Sequence, residues 1–376
     1  MNLTHLLGAS ALAMLPMAAI AEDAGLSPCE NCADSMTISS WGGAYQAMQN
    51  AAYADPYVKA TGVNLIWDES SAEAVAKLRA QSEAGNVTWD VVDLLAADGI
   101  RLCDEGLVTE VPVDELLAPA PDGTPASEDF GENLVSECYI PTVLYSTTFG
   151  YRTDVAAWNG AVPTGLCDVF DLEKFPGKRA LEKRPINNLE WALICSGVPV
   201  DQLYDTLETD EGIQKALDKL ATIKDQTVWW SAGAETPQLL ADKEVVIGST
   251  YNGRLFSLIE EQKQPVAMLW DYQVFDIDGF VVPEGLPEDR LNRVKHFLHF
   301  ATDTQRLADQ AKFISYGPAR ASSQPLVGKH ATLGIDMAPH MPNSPENAKT
   351  GFLFNYTWWA DHRDELDSRF QSWLSQ

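Results

Sequence analysis

The chain has 376 residues, 26 Lys+Arg against 54 Asp+Glu, and a formal net charge of −28. Phosphate-backbone binding needs clustered Lys and Arg to release counterions, so this balance argues against a nucleic-acid partner and against an anionic membrane surface. With 45% hydrophobic and 21% charged residues the composition is ordinarily globular, and the length suits roughly two domains at about 150 residues each.

The chain opens on an apolar run through Ala11, Leu12, Met14, Leu15, Met17 and Ile20, interrupted by Gly8 and Pro16, and closes it on Ala19-Ile20-Ala21 before Glu22-Asp23. This pattern predicts a signal peptide over residues 1–21, cleaved after Ala21, although its first residues carry no Lys or Arg. No later stretch is apolar enough to span a bilayer, so the mature protein is expected to be exported and soluble. In an oxidising compartment an even number of cysteines is usually paired. The six here are Cys29, Cys32, Cys103, Cys138, Cys167 and Cys195, and pairing of neighbours in chain order (29 with 32, 103 with 138, 167 with 195) is expected.

From Ser35 the pattern alternates between strand and helix. Met36 to Trp41 reads as a strand, Gly42-Gly43 as a tight turn, Tyr45 to Tyr57 as a helix, and Val63 to Trp67 as the next strand. Ser70 with Glu73 predicts a capping box opening a helix through Leu78 and Gln81. Asp90 to Leu95 is a third strand, followed by a short helix toward Cys103. An extended segment runs from Tyr139 to Tyr151, with helices around Leu189 to Cys195 and Ile213 to Ile223 and a strand at Val245 to Gly248. The chain then returns through a strand at Gln273 to Pro283, helices at Leu291 to Thr302 and Gln305 to Lys312, and a last helix near Asp361 to Leu374. Such alternation implies βαβ units, mostly parallel sheets and two α/β lobes, with ligand in the cleft between them.

Candidate functional residues fall at strand ends. Trp41 and Tyr45 flank two glycines at the carboxyl end of the first strand, the ligand-facing end of an open α/β sheet. In Phe275-Asp276-Ile277-Asp278-Gly279 the period of two puts both carboxylates on one face, a suitable receptor for an ammonium group. Trp230 and Tyr251 offer faces for an organic cation, with Glu235 nearby in the chain. Arg254 either pairs with an internal carboxylate or grips a ligand carboxylate. Catalytic constellations are thin: His296, His299, His330, His340 and His362 come with no H-E-x-x-H or G-x-S-x-G. No metal or cofactor set is read, and an exported hydrolase using two carboxylates stays the rival class.

The order of Ser40-Trp41-Gly42-Gly43, Trp89-Asp90-Val91-Val92-Asp93, Asp171 to Arg179 (DLEKFPGKR), Gly233 to Leu240 (GAETPQLL), Tyr251-Asn252-Gly253-Arg254 and Phe275 to Asp278 resembles the spermidine/putrescine-type solute-binding proteins of ABC transporters. The resemblance implies a two-lobed, type II periplasmic binding protein, monomeric, that closes on a polyamine and docks on a membrane permease. It divides the chain into one lobe of residues 36–142 plus 279–312 and another of 147–272 plus 317–376, with crossovers near 143–146, 273–278 and 313–316. It also implies aromatic walls at Trp41 and Tyr251, an ammonium acceptor at Asp278, and a second polar contact at Asn188 or Glu190. Arg254 departs from the pattern, because a cation there opposes a second ammonium. That raises a zwitterion, such as an ω-amino acid, a betaine or an acylated polyamine, as the alternative ligand.

Overall fold

The computed structural model describes residues 26–376; the expected signal peptide and its cleavage site lie outside them. Ten strands form one continuous mixed sheet. They are β1 (Ser35–Ser39), β2 (Asn64–Asp68), β3 (Val91–Leu95), β4 (Ile140–Arg152), β5 (Arg179–Glu182), β6 (Thr227–Trp230), β7 (Ile247–Tyr251), β8 (Val266–Val281), β9 (Gly317–Pro318) and β10 (Phe352–Leu353). The main path runs β2-β1-β3-β8-β4-β7-β5-β6.

Both flanks are parallel, as the βαβ pattern predicts: β1 pairs with β2 and β3, and β5 with β6 and β7. The centre is antiparallel. Strands β4 and β8 run side by side over most of their length, and each reaches both flanks: β8 pairs with β3 at Asp278 to Val281, and β4 with β7 at Thr147 to Tyr151. An irregularity in β8 opposite Thr147 and Phe149, with Tyr272 at φ 52°, bends the ribbon between the flanks. Strand β9 adds a third segment against β4, pairing Gly317 with Leu144.

Local chemistry explains most elements. The helix Asp210–Ala221 buries Ile213, Ala216, Leu217 and Leu220 on one face, and Thr209 Oγ1 accepts the Gly212 amide at 3.0 Å as its cap. The DLEKFPGKR segment is structural. Its Arg179 is fully buried and donates to the carbonyls of Val169, Phe175, Gly177 and Asp171, pinning the loop that leads into β5. The helix Tyr356–Leu374 begins earlier than the sequence suggests because Asn355 Oδ1 accepts the Trp358 amide at 3.1 Å. It covers the seam between the flanks, with Arg363 reaching Asp98 at 3.4 Å and Phe370 packed on Trp229.

The expected capping box does not form. Ser70 turns its hydroxyl to Asp68 at the end of β2 and accepts from Lys77 Nζ instead, and the helix Ala74–Glu83 follows a 3₁₀ turn. The Asp68 carboxylate takes the hydroxyl proton and the Lys77 ammonium takes the place of the backbone amide as donor to the hydroxyl oxygen, both charge-assisted contacts. Strands β5 and β6 were not expected, being too short to show alternation, and β8 begins seven residues before the predicted Gln273, at Val266. The disulfides join Cys29 to Cys32, Cys103 to Cys138 and Cys167 to Cys195, the expected neighbours. Among the described residues no helix is long and apolar enough to cross a membrane.

Candidate functional site

Strands β3, β4, β7 and β8 present their cleft-facing ends to one another where the flanks meet. Two adjoining cavities, of about 300 and about 360 Å³, open there and share Trp41, Tyr45, Arg254 and Tyr316. Gly42 and Gly43, at φ 69° and 56°, make the left-handed turn that brings Trp41 and Tyr45 to the rim. Gly233 is needed for a different reason. A Cβ there would sit 2.6 Å from the Tyr251 ring and 3.3 Å from Arg254 Nε, so its absence lets both side chains reach the cavity.

Aromatic rings line the walls. Tyr145 and Tyr251 meet edge to face with centroids 5.5 Å apart, and Tyr316 packs on Tyr145 at 5.6 Å and on Tyr45 at 6.3 Å. Asn252, fully buried, accepts the Ser146 amide at 3.0 Å and donates to the Ser315 carbonyl at 2.5 Å. It thereby ties β4 to the segment entering β9 directly behind the Tyr251 wall.

Asp278 lines the cavity of about 300 Å³ beside Trp41 and Tyr45 and is 5% exposed. Behind it lies Asp93, fully buried in β3 and diagonal to Asp278 across the β3–β8 ladder. Burial pushes the Asp278 carboxyl up to about 6, against hydrogen bonding by Asp93, Trp41 and the Gly279 amide. The Asp93 carboxyl is held well above the usual carboxylate range by burial and then by the Asp278 charge. Trp41 Nε1 and Tyr45 Oη are buried beside this carboxyl and make no other hydrogen bond of normal geometry. Asp276 shares the face of Asp278 but faces a small chamber of about 40 Å³, where Tyr145 Oη donates to it at 2.8 Å; burial pushes it to about 6 as well.

In the cavity of about 300 Å³ the other charges pair off, while the adjoining cavity also carries Glu261, whose carboxylate lies 3.7 Å from His330 Nε2. Arg184 meets Glu182 at 2.6 Å, and Arg363 meets Asp98 at 3.4 Å. Arg254 is exposed to the cavity and has no ion pair among the described residues.

Of the residues singled out from sequence, Trp41, Tyr45, Tyr251, Arg254 and Asp278 converge on the cleft, and Asp276 faces the small chamber beside it. Four line neither. Asn188 donates to the carbonyls of Glu182 and Arg184 as a loop staple, and Trp230 is buried behind Tyr251. Glu235 folds back to accept the Ser231 and Ala232 amides at 3.0 and 2.7 Å, fixing the turn that leads into its helix. Glu190 is fully buried against the C-terminal helix, accepting from Trp359 Nε1 at 2.7 Å. Its helix, Asn188–Ile194, is buried on every side, a sign already present in the apolar neighbours Leu189, Trp191, Ala192 and Leu193. Sequence reasoning missed Asp93, Tyr145, Arg184 and Tyr316. Asp93 had a signal, a single acid inside the apolar run Val91-Val92-Asp93-Leu94-Leu95; the others had none.

Burial raises the Glu190 carboxyl to about 7. A folded-state value above the unfolded one means that ionisation costs stability, a cost present above pH 7 and relieved as the pH falls through that value. Glu190→Gln keeps the acceptor for Trp359 and removes the charge, so its thermal midpoint should exceed the wild type's by several degrees at pH 8.5 and match it near pH 5. Ligand affinity should stay unchanged, and a weakened affinity in calorimetry would place Glu190 back in the binding machinery.

The model of the bacterial extracellular solute-binding proteins matches residues 52–343. The chain is 33% identical over 342 residues, 91% of either chain, to a gamma-aminobutyric acid-binding protein of Pseudomonas aeruginosa. Among solved structures it resembles the Atu4243 GABA receptor (30% identity, TM-score 0.76, 90% of this chain and 97% of that one). It also resembles the binding protein MotA of A. tumefaciens B6 in complex with glucopine (27% identity, TM-score 0.75, 90% and 99%).

Proposed function

The chain belongs to the bacterial extracellular solute-binding protein family, and we propose that it is the receptor of an ABC importer for a small zwitterionic amine of the ω-amino acid type. The family consists of solute-binding proteins rather than enzymes, which sets the hydrolase reading aside. In the proposed complex Asp278 receives the ammonium, Trp41, Tyr45 and Tyr251 wall the methylenes, and Arg254 receives the carboxylate. The lobes close by bending where β4 and β8 pass between the flanks, and the closed form is presented to a membrane permease.

One observation carries this reading. After Glu182–Arg184 and Asp98–Arg363 cancel, the cavity retains an unpaired cation, Arg254, and an acid end at Asp278 without a cationic partner. That is the complement of a zwitterion. A diamine would bring a second ammonium toward a guanidinium, a repulsion of about 2–3 kcal/mol at roughly 6 Å and an effective dielectric near 20. The names of the relatives support the same class.

Titration calorimetry with γ-aminobutyrate, 5-aminovalerate, putrescine and spermidine tests it. An ω-amino acid should bind at least about tenfold more tightly than putrescine, a difference of about 1.4 kcal/mol. Putrescine or spermidine binding equally or more tightly would overturn the zwitterion assignment in favour of a polyamine.

A further inference from the structure

We propose that Asp93 is a positioning residue that stays protonated: its carboxylic acid donates a hydrogen bond to Asp278, orients that carboxylate, and holds the ammonium end of the cleft at a single negative charge. The inference rests on the reading of Asp278 as the ammonium acceptor.

The geometry leaves few alternatives. Leu95 pairs with Asp278 and Asp93 with Phe280, so the two acids stand diagonally on one face of adjacent strands, close enough for one proton to bridge them. Asp93 Oδ2 already accepts from Gln49 Nε2, and the orientation of that amide is set by Ser40 Oγ, which donates to Gln49 Oε1 at 2.5 Å. Asp93 Oδ1 is buried beside the Tyr45 hydroxyl and has no hydrogen bond of normal geometry, which leaves it as the oxygen to carry the bridging proton.

The groups facing the pair come from every element packed on it. Tyr45 and Tyr53 belong to the helical segment after Gly43, Thr142 to β4, Tyr139 to its approach, and Asp276 to β8; Tyr316 faces it from beyond the cavity. Arg184, Arg254 and Arg363 line the same cavity as Asp278, Arg184 held by Glu182 and Arg363 by Asp98, and neither Asp93 nor Asp278 has an ion pair to Lys or Arg among the described residues. Two carboxylates in contact without a counterion cannot both ionise. Asp278 is the one that ionises, because it faces the cavity and its Oδ1 accepts the Gly279 amide at 3.1 Å. An ammonium therefore meets one charge, and a monoamine binds at pH 7.5 with no proton exchanged.

The side-chain amide of Asn reproduces a protonated acid as donor. Asp93→Asn should thus bind an ω-amino acid within about threefold of wild type, whereas Asp278→Asn should lose about tenfold or more. An ionised Asp93 would make the two variants equally damaging, and that result, with folding intact, overturns the proposal. Infrared difference spectra of the ligand-free proteins at pH 7.5 give a second readout: wild type minus Asp93→Asn should contain the carbonyl stretch of a buried protonated acid. Subtraction removes any shared contribution from Glu190 when the variant folds, and absence of the band overturns the proposal; should Asp93→Asn fail to fold, the spectrum of Glu190→Gln must still show the band, and its absence there overturns the proposal. Should wild type bind no amine at all, the receptor reading falls, while the infrared band still decides the protonation state.

Discussion

Asp278→Asn is expected to weaken ω-amino acid binding by about ten- to a hundredfold at pH 7.5, the equivalent of losing a buried charge-assisted hydrogen bond of about 1.5–3 kcal/mol. The free protein should not be destabilised. Burial lifts the Asp278 carboxyl to about 6, above the unfolded value near 4, so the folded chain holds the proton more tightly than the unfolded one. Ionisation of Asp278 in the free protein costs stability above pH 6, and the cost is relieved between pH 6 and pH 4. An asparagine escapes that cost, and its thermal midpoint should equal or exceed the wild type's. The sign for ligand binding is opposite. An ammonium selects the ionised carboxylate, so wild-type affinity should be constant above about pH 6.5 and fall as the pH drops through 6, with Asp276 titrating in the same window. Calorimetry from pH 5 to 8 checks both statements. A wild-type affinity that does not vary with pH, or an Asp278→Asn affinity equal to wild type, would remove Asp278 from the ammonium site.

Arg254→Gln is expected to reverse the ligand preference. The side chain is exposed to the cavity and carries no internal ion pair among the described residues, so its removal should leave folding stability within about 0.5 kcal/mol of wild type. Binding of γ-aminobutyrate should fall by about tenfold or more as the carboxylate loses a charge-assisted partner. Putrescine should gain, because the repulsion of its second ammonium disappears while Glu182 and Asp98 remain on the cavity wall. Competition between the two ligands on both proteins reads the exchange directly. If putrescine affinity stays unchanged and only γ-aminobutyrate weakens, Arg254 binds carboxylate without discriminating against diamines; if neither changes, Arg254 has no contact with ligand.

Much of this was legible in the chain. Apolar runs and their spacing place β1, β2 and β3 of the first flank and β7 of the second, because periodicity reports which side of an element is buried wherever that element lies, while β5 and β6 are too short to show it. The same period puts Asp276 and Asp278 on one face, and the strand-end positions of Trp41 and Tyr251 mark them as cleft residues. Nearest-neighbour pairing of the cysteines also agrees with the structure.

Convergence was not legible. Asp276 and Asp278 share a face but look into different spaces, the first hydrogen-bonded to Tyr145 in a small chamber and the second beside Trp41 in the open cavity. Trp89, Asp90 and Asp93 stand within five residues, yet Trp89 donates to Asp68, Asp90 binds Arg290, and only Asp93 backs the site. Glu190 and Asp93 are both fully buried acids. Which one serves the cleft depends on what packs against it, Trp359 in one case and Asp278 in the other. The sequence by itself determined the order of elements, the disulfide neighbours and the one unusual cation, Arg254. Only the tertiary structure decided which charges cancel and which remain, because Arg363 reaches Asp98 across 265 positions of chain, and no local pattern encodes a partner at that separation.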